Sequence, residues 1–179
     1  VACAHGQVST VGMLLERGAA INAPDAHGRT PLFAASHSGR AKVIELILDW
    51  GASIERAEAS GNDGEGLLFL ASGHGHPQTI DLLLKRGMHV DQVSTSGATP
   101  LHAAGANGHV AAIVKLLENG ANVHHADTTG ATALWKASSG GQVDAMRALL
   151  DAGAEVDAVD NKERATPLLK ASLGGHVQS

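Results

Sequence analysis

Two series of glycines run through this 179-residue chain in step, and no other feature narrows its possible folds as much. The first is Gly18, Gly51, Gly87, Gly120 and Gly153, at spacings of 33, 36, 33 and 33. The second is Gly6, Gly39, Gly75, Gly108, Gly141 and Gly175, at 33, 36, 33, 33 and 34. Both take a three-residue insertion at the same place. A fixed period of this length marks one supersecondary unit that stacks on copies of itself.

The residues between the glycines describe the unit. Each glycine of the first series follows an apolar triplet at i, i+3, i+4: Val11/Leu14/Leu15, Ile44/Ile47/Leu48, Ile80/Leu83/Leu84, Ile113/Leu116/Leu117 and Met146/Leu149/Leu150. That spacing puts three side chains on one helical face, and the glycine then ends the helix in the left-handed conformation. Three residues later comes an aliphatic plug: Ile21, Ile54, Val90, Val123 or Val156. Each glycine of the second series closes a shorter helix. Three of these open as Thr30-Pro31-Leu32, Thr99-Pro100-Leu101 and Thr166-Pro167-Leu168. Threonine caps a helix and proline suits its first position. Ala35, Ala71, Ala104, Ala137 and Ala171 recur on these helices and let neighbours approach closely. One such pair cannot bury its own stripe, so the units must stack.

The segments 97–109 (GATPLHAAGANGH), 25–39 (DAHGRTPLFAASHSG), 162–176 (KERATPLLKASLGGH) and 128–141 (TTGATALWKASSGG) resemble the ankyrin repeat, and the resemblance covers the whole chain. It implies an all-α helix-turn-helix solenoid with β-turn fingers. The single array 1–179 then holds about four full repeats (25–57, 58–93, 94–126, 127–160) with partial repeats at both ends (1–24 and 161–179). It also implies a non-catalytic protein–protein interaction module that grips a partner with its concave face and finger tips. The alternatives are a regulatory segment of a larger enzyme or channel, or a structural spacer.

Departures from the repeat carry their own expectations. Gly66-Leu67-Leu68-Phe69 replaces the Thr-Pro start of the third short helix, and its finger, 59–66, is lengthened. That helix should lack a cap worth ~1 kcal/mol. The sixth finger is one residue longer, with Arg164 where glycine is usual. The histidine of the TPLH motif survives only as His102; Phe33, Phe69, Trp135 and Leu169 stand elsewhere, where aromatic packing should replace its hydrogen bonding.

Composition excludes several classes. A net charge of −5 argues against nucleic acid, which needs a basic footprint. The one cysteine, Cys3, cannot form an internal disulfide and fits a reducing compartment, cytoplasmic or nuclear. No apolar run approaches the ~20 residues of a membrane span. The chain reads as a monomeric segment of a larger protein.

Eleven histidines invite a metal site, but His74-x-His76 has no third ligand at zinc-like spacing. His76, His109 and His176 recur after the second glycine and are read as structural. Cys3 has no facing base, and Asp63 with Glu65 sits on a Gly-rich finger that cannot hold two acids in catalytic geometry. No catalytic residue, metal or cofactor is therefore assigned. The expected partner-binding residues are the variable groove and finger positions His27, Arg29, His37, Asp63, Glu65, Leu70, His74, Lys136 and Lys170. Lys136 and Lys170 occupy one repeat position in successive units and, with Lys162 and Arg164, should form a cationic end that orients an acidic segment of another protein. Trp50 stands at a solvent-facing position, its ring expected to fold back on the third finger.

Overall fold

The computed structural model describes residues 2–60 and 64–174, which contain eleven helices. Helix α1 (Val8–Glu16) is followed by α2 (Pro31–His37) with α3 (Ala41–Asp49), a single turn α4 (Ile54–Glu58), then α5 (Leu67–Gly73) with α6 (Pro77–Lys85). After these come α7 (Pro100–Ala106) with α8 (Val110–Glu118), α9 (Ala133–Ser139) with α10 (Val143–Asp151), and α11 (Pro167–Leu173). Short helices stack on short ones (α2, α5, α7, α9, α11) and long on long (α1, α3, α6, α8, α10), giving a two-layer solenoid. Among the described residues the only β-pairing is a bridge between Ala126 and Thr132, and no helix is long and apolar enough to cross a membrane.

Local chemistry sets the helix ends. The hydroxyls of Thr30, Thr132 and Thr166 each accept the amide three residues on, at 3.3 Å. At the far end of α3, Gly51 donates to Leu48 and Ala52 to Ile47, both at 2.9 Å, closing the helix through a left-handed residue. The same pair of bonds recurs at Gly18, Gly39, Gly75, Gly87, Gly108, Gly120, Gly141 and Gly153. At Gly39 the need for glycine is double. Its φ is +66°, and a Cβ would stand 2.4 Å from Nδ1 of His76, which packs over it from the next unit. His109 lies over Gly75 in the same way, so the recurrence of these two histidines is structural; His176 lies outside the described residues.

The core is a continuous aliphatic seam, in which Leu32, Ile44, Ile47, Leu67, Leu68, Ile80, Leu83, Leu101, Ile113, Leu116, Leu134 and Leu149 are almost fully buried. It is rotated slightly from the expected stripe. The residue before each of the last four triplets is buried (Val43, Thr79, Ala112, Ala145), whereas Leu14 and Leu150 are exposed. The long helices thus tilt their N-terminal side inward. Val156, expected as a plug, is 60% exposed.

The third short helix corrects an expectation. It lacks a cap of its own, but Glu58 at the end of α4 supplies one: its Oε1 accepts the Leu67 amide at 2.7 Å, and its other oxygen accepts the Gln92 side-chain amide. Gly66 makes room, since a Cβ there would lie 2.3 Å from the Glu58 carboxylate. At the sixth finger, Arg164 adopts φ +51°, the left-handed conformation its glycine counterparts take without strain.

Candidate partner-binding groove

The short helices and fingers share one side of the solenoid. A carboxylate folds each of three fingers: Asp25 accepts from the amides of His27 and Arg29, Asp127 from those of Thr129 and Ala131, and Asp160 from those of Glu163 and Ala165. Neighbouring fingers are tied by Thr128 N–H to Ser96 O (2.9 Å) and Asn161 N–H to Thr129 O (2.7 Å). These aspartates were missed in the sequence, although an acid at the head of a finger, at positions 25, 127 and 160, is the mark of a side-chain-closed turn.

His102 joins a finger to its helix. Its Nδ1 accepts the Thr99 amide at 3.2 Å, and its Nε2 donates to Ala131 O at 3.0 Å in the next finger. Burial pushes its pKa down to about 4, against the opposing pulls of the Ala131 carbonyl and Asp127. Trp135 repeats half of this device, its Nε1 donating to Ala165 O at 3.1 Å. The expectation of aromatic packing in place of the hydrogen bond is corrected at this position: the indole supplies both.

Two clefts open along the groove. One, of about 430 Å³, is lined by His27, Arg29, Phe33, His37, Ser60, Glu65, Leu70 and His74. The other, of about 760 Å³, takes Glu65, Phe69, Leu70, Gly73, His74, Ala103, Ala106, Asn107 and His109. Glu65, Leu70 and His74 form the shared wall. Asn107 braces the second cleft, its amide donating to Gly73 O and Ala103 O. Six of the expected residues, His27, Arg29, His37, Glu65, Leu70 and His74, are therefore brought together here. Leu70, only 7% exposed, is the floor between them. Arg29 is held by Asp25 at 2.7 Å, and that bond keeps the Asp25 carboxyl at about 2. Asp63 lies outside the described residues.

Lys136 and Lys170 lie apart from these clefts, on α9 and α11, and each is already engaged by an acid of the array. The Lys136 ammonium bonds the buried Asp127 carboxylate at 2.7 Å, and Lys170 pairs with Glu163. Both ammoniums also face the Trp135 ring, 5.6 and 5.2 Å from its centroid. Burial alone would raise the Asp127 carboxyl, but Lys136 and Thr129 outweigh it and hold it at about 2. The cations are used inside the array, where they steady the fifth and sixth fingers. Trp50 caps α3 with 48% of its surface exposed.

Three imidazoles meet at the shared wall. The His37 and His74 rings are 4.2 Å apart between centroids, and those of His74 and His76 are 6.2 Å apart. Partial burial, then His74, Arg29 and His76, lower the His37 pKa. His76 is lowered chiefly by burial, against the pull of the His37 carbonyl. Among the described residues no group of three His, Cys, Asp or Glu is arranged to hold a metal.

A family profile described as ankyrin repeats (3 copies) matches residues 1–58, 55–127 and 107–179. The chain is also similar to ankyrin repeat and SOCS box protein 11 of Homo sapiens and of Pongo abelii, 41% identical to each over 64 residues. Those residues are 34% of this chain and 19% of each relative, so the match spans about a fifth of the relatives' length.

Proposed function

This chain belongs to the ankyrin repeat family, and we propose that it is a non-catalytic module that holds a partner protein in the groove of its short helices and fingers. Ankyrin repeats are generally protein–protein interaction modules. The observation that carries the reading here is the pair of adjoining clefts, which gathers five variable polar side chains around the core residue Leu70. Their contributions are distinct: Leu70, Phe33 and Phe69 offer apolar contact, and His27, Arg29, His37, Glu65 and His74 offer polar contact. Lys136 and Lys170 extend this surface through their apolar stems, and Asp63, which lies outside the described residues, belongs to the same proposal.

A photo-crosslinking amino acid tests this. Placed at position 37 or 107, it should capture a partner from extract of the source cells; placed at Val114, on the exposed side of α8, it should not. Capture from position 114 alone would refute the groove. Capture from none of the three would favour a spacer. A second reading, in which the array is one segment of a longer protein, is supported by the length of the relatives and by the SOCS box in their name. Sequencing the full-length transcript decides it.

A further inference from the structure

We propose that the imidazole cluster of His37, His74 and His76 recognises a carboxylate side chain on an extended, acidic and apolar segment of the partner, and that binding there takes up protons. This rests on the groove reading above and adds the partner's chemistry to it.

The stack needs His76, which packs over Gly39, but not His37 or His74. At the repeat position of His37 the other units carry Gly73, Ala106, Ser139 and Leu173, and beside them Asn107 and Gly140 stand where His74 does. Yet two elements 37 residues apart in sequence bring the His37 and His74 rings to 4.2 Å. The rings are also oriented. His74 Nδ1 bonds Leu70 O at 2.9 Å, and His76 Nε2 bonds His37 O at 3.2 Å. These bonds fix one nitrogen of each ring and leave Nε2 of His74 free of a bond to the Leu70 carbonyl.

The charges around the cluster say which anion helps. From the second finger come His27 and Arg29, the latter tied to Asp25; from the third comes Glu65. Arg40, at the start of α3, and His109, at the start of α8, act on His76. One acid, Glu65, faces three imidazoles, two arginines and two further histidines across these elements. Protonation of His37 and His76 is opposed first by burial and then by the neighbouring imidazoles and by Arg29 or Arg40, which lowers both pKa values. A carboxylate from outside relieves that repulsion and so favours the protonated rings. The flanking clefts, floored by Phe33 and Leu70 on one side and by Phe69, Ala103 and Ala106 on the other, take apolar side chains on either side of the acid. In an extended segment, side chains two apart fall on one face roughly 7 Å from each other, which suits adjoining clefts. Each proton taken up strengthens binding by up to about tenfold per pH unit as the medium is acidified.

The test uses random dodecapeptides displayed on phage, selected on the full chain at pH 5.5 and remade as synthetic peptides. The expected winners carry Asp or Glu beside Leu, Ile or Phe and bind roughly tenfold more weakly at pH 7.5. Replacing the acid by its amide, or His37→Gln with His74→Gln in the protein, should remove the pH dependence, while melting of the double variant at pH 7.5 stays unchanged. Winners without an acid, or acidic winners that bind equally at both pH values, would overturn the inference. An Ala106→Arg variant separates it from the groove reading. Neutral winners that this variant blocks leave the groove standing and sink the carboxylate. Winners that it does not weaken place binding elsewhere and sink both, as does an empty selection at both pH values.

Discussion

Acidification should loosen this array chiefly through one buried histidine. His102 is 2% exposed and keeps a neutral ring, because its Nδ1 must accept the Thr99 amide while Nε2 donates to Ala131 O. A proton on Nδ1 breaks the first bond and charges a ring that burial disfavours. The pKa falls from the ordinary 6.5 to about 4 on folding. The unfolded chain therefore binds the proton more readily than the folded one, and stability is lost as pH falls. The loss begins near 6.5 and is complete once pH drops below about 4. Between those limits each unit of pKa difference is worth ~1.4 kcal/mol, so the full effect is about 3 kcal/mol. At pH 5 the same linkage gives about 2 kcal/mol, and at pH 7.5 less than about 0.1.

Urea unfolding at pH 7.5, 6.0 and 5.0 measures this against a His102→Phe variant, phenylalanine being the residue at two equivalent positions, Phe33 and Phe69. At pH 7.5 the variant should be weaker by about 1–3 kcal/mol, for two lost hydrogen bonds in a buried site. At pH 5.0 that gap should shrink by about 2 kcal/mol, since the variant has no ring to protonate. His37 and His76 titrate in both proteins and cancel in the difference. The acids Asp25 and Asp127, held at about 2, stay ionised throughout. A gap that stays constant to within about 0.5 kcal/mol would refute the argument, and would mean that His102 accepts a proton without losing its bonds.

Three further perturbations follow from the contacts. Glu58→Ala should cost about 1–2 kcal/mol through the lost cap and speed amide exchange at Leu67, with Glu58→Gln intermediate; unchanged exchange at Leu67 would show that the cap is idle. Lys136→Glu should destabilise by ~2 kcal/mol or more, because it leaves the buried Asp127 facing a second acid; wild-type melting would mean that the pair contributes nothing. Arg164→Gly should raise stability by about 0.5–1 kcal/mol in urea titration, since a left-handed non-glycine residue costs ~1–2 kcal/mol and part of the gain returns as glycine's chain entropy.

What could be read in the sequence was whatever repeats. The glycine period, the Thr-Pro starts and the aliphatic seam each recur at least three times, and helices α2, α7 and α11 begin where the threonines place them. The seam was legible only to within one helical position, because a triplet at i, i+3, i+4 does not say how far the helix tilts onto its neighbour. What occurs once was harder. Glu58 caps a helix nine residues away, and only the folded third finger brings the two together. The lysines show the limit most clearly. Lys136 and Lys170 were visible as a recurring position, and a recurring cation invites an external anion. But Asp127 lies nine residues before Lys136, at the head of the same finger, and the equivalent residues of two other units, Ala34 and Ala103, cannot use their finger-head Asp25 and Ser94 this way. A charge in a groove is available to a partner only after the array's own acids have been counted. By that measure the cationic end shrinks, and the wall of His37 and His74, which Glu65 alone of the acids lines among the described residues, is where we propose that a partner's charge is met.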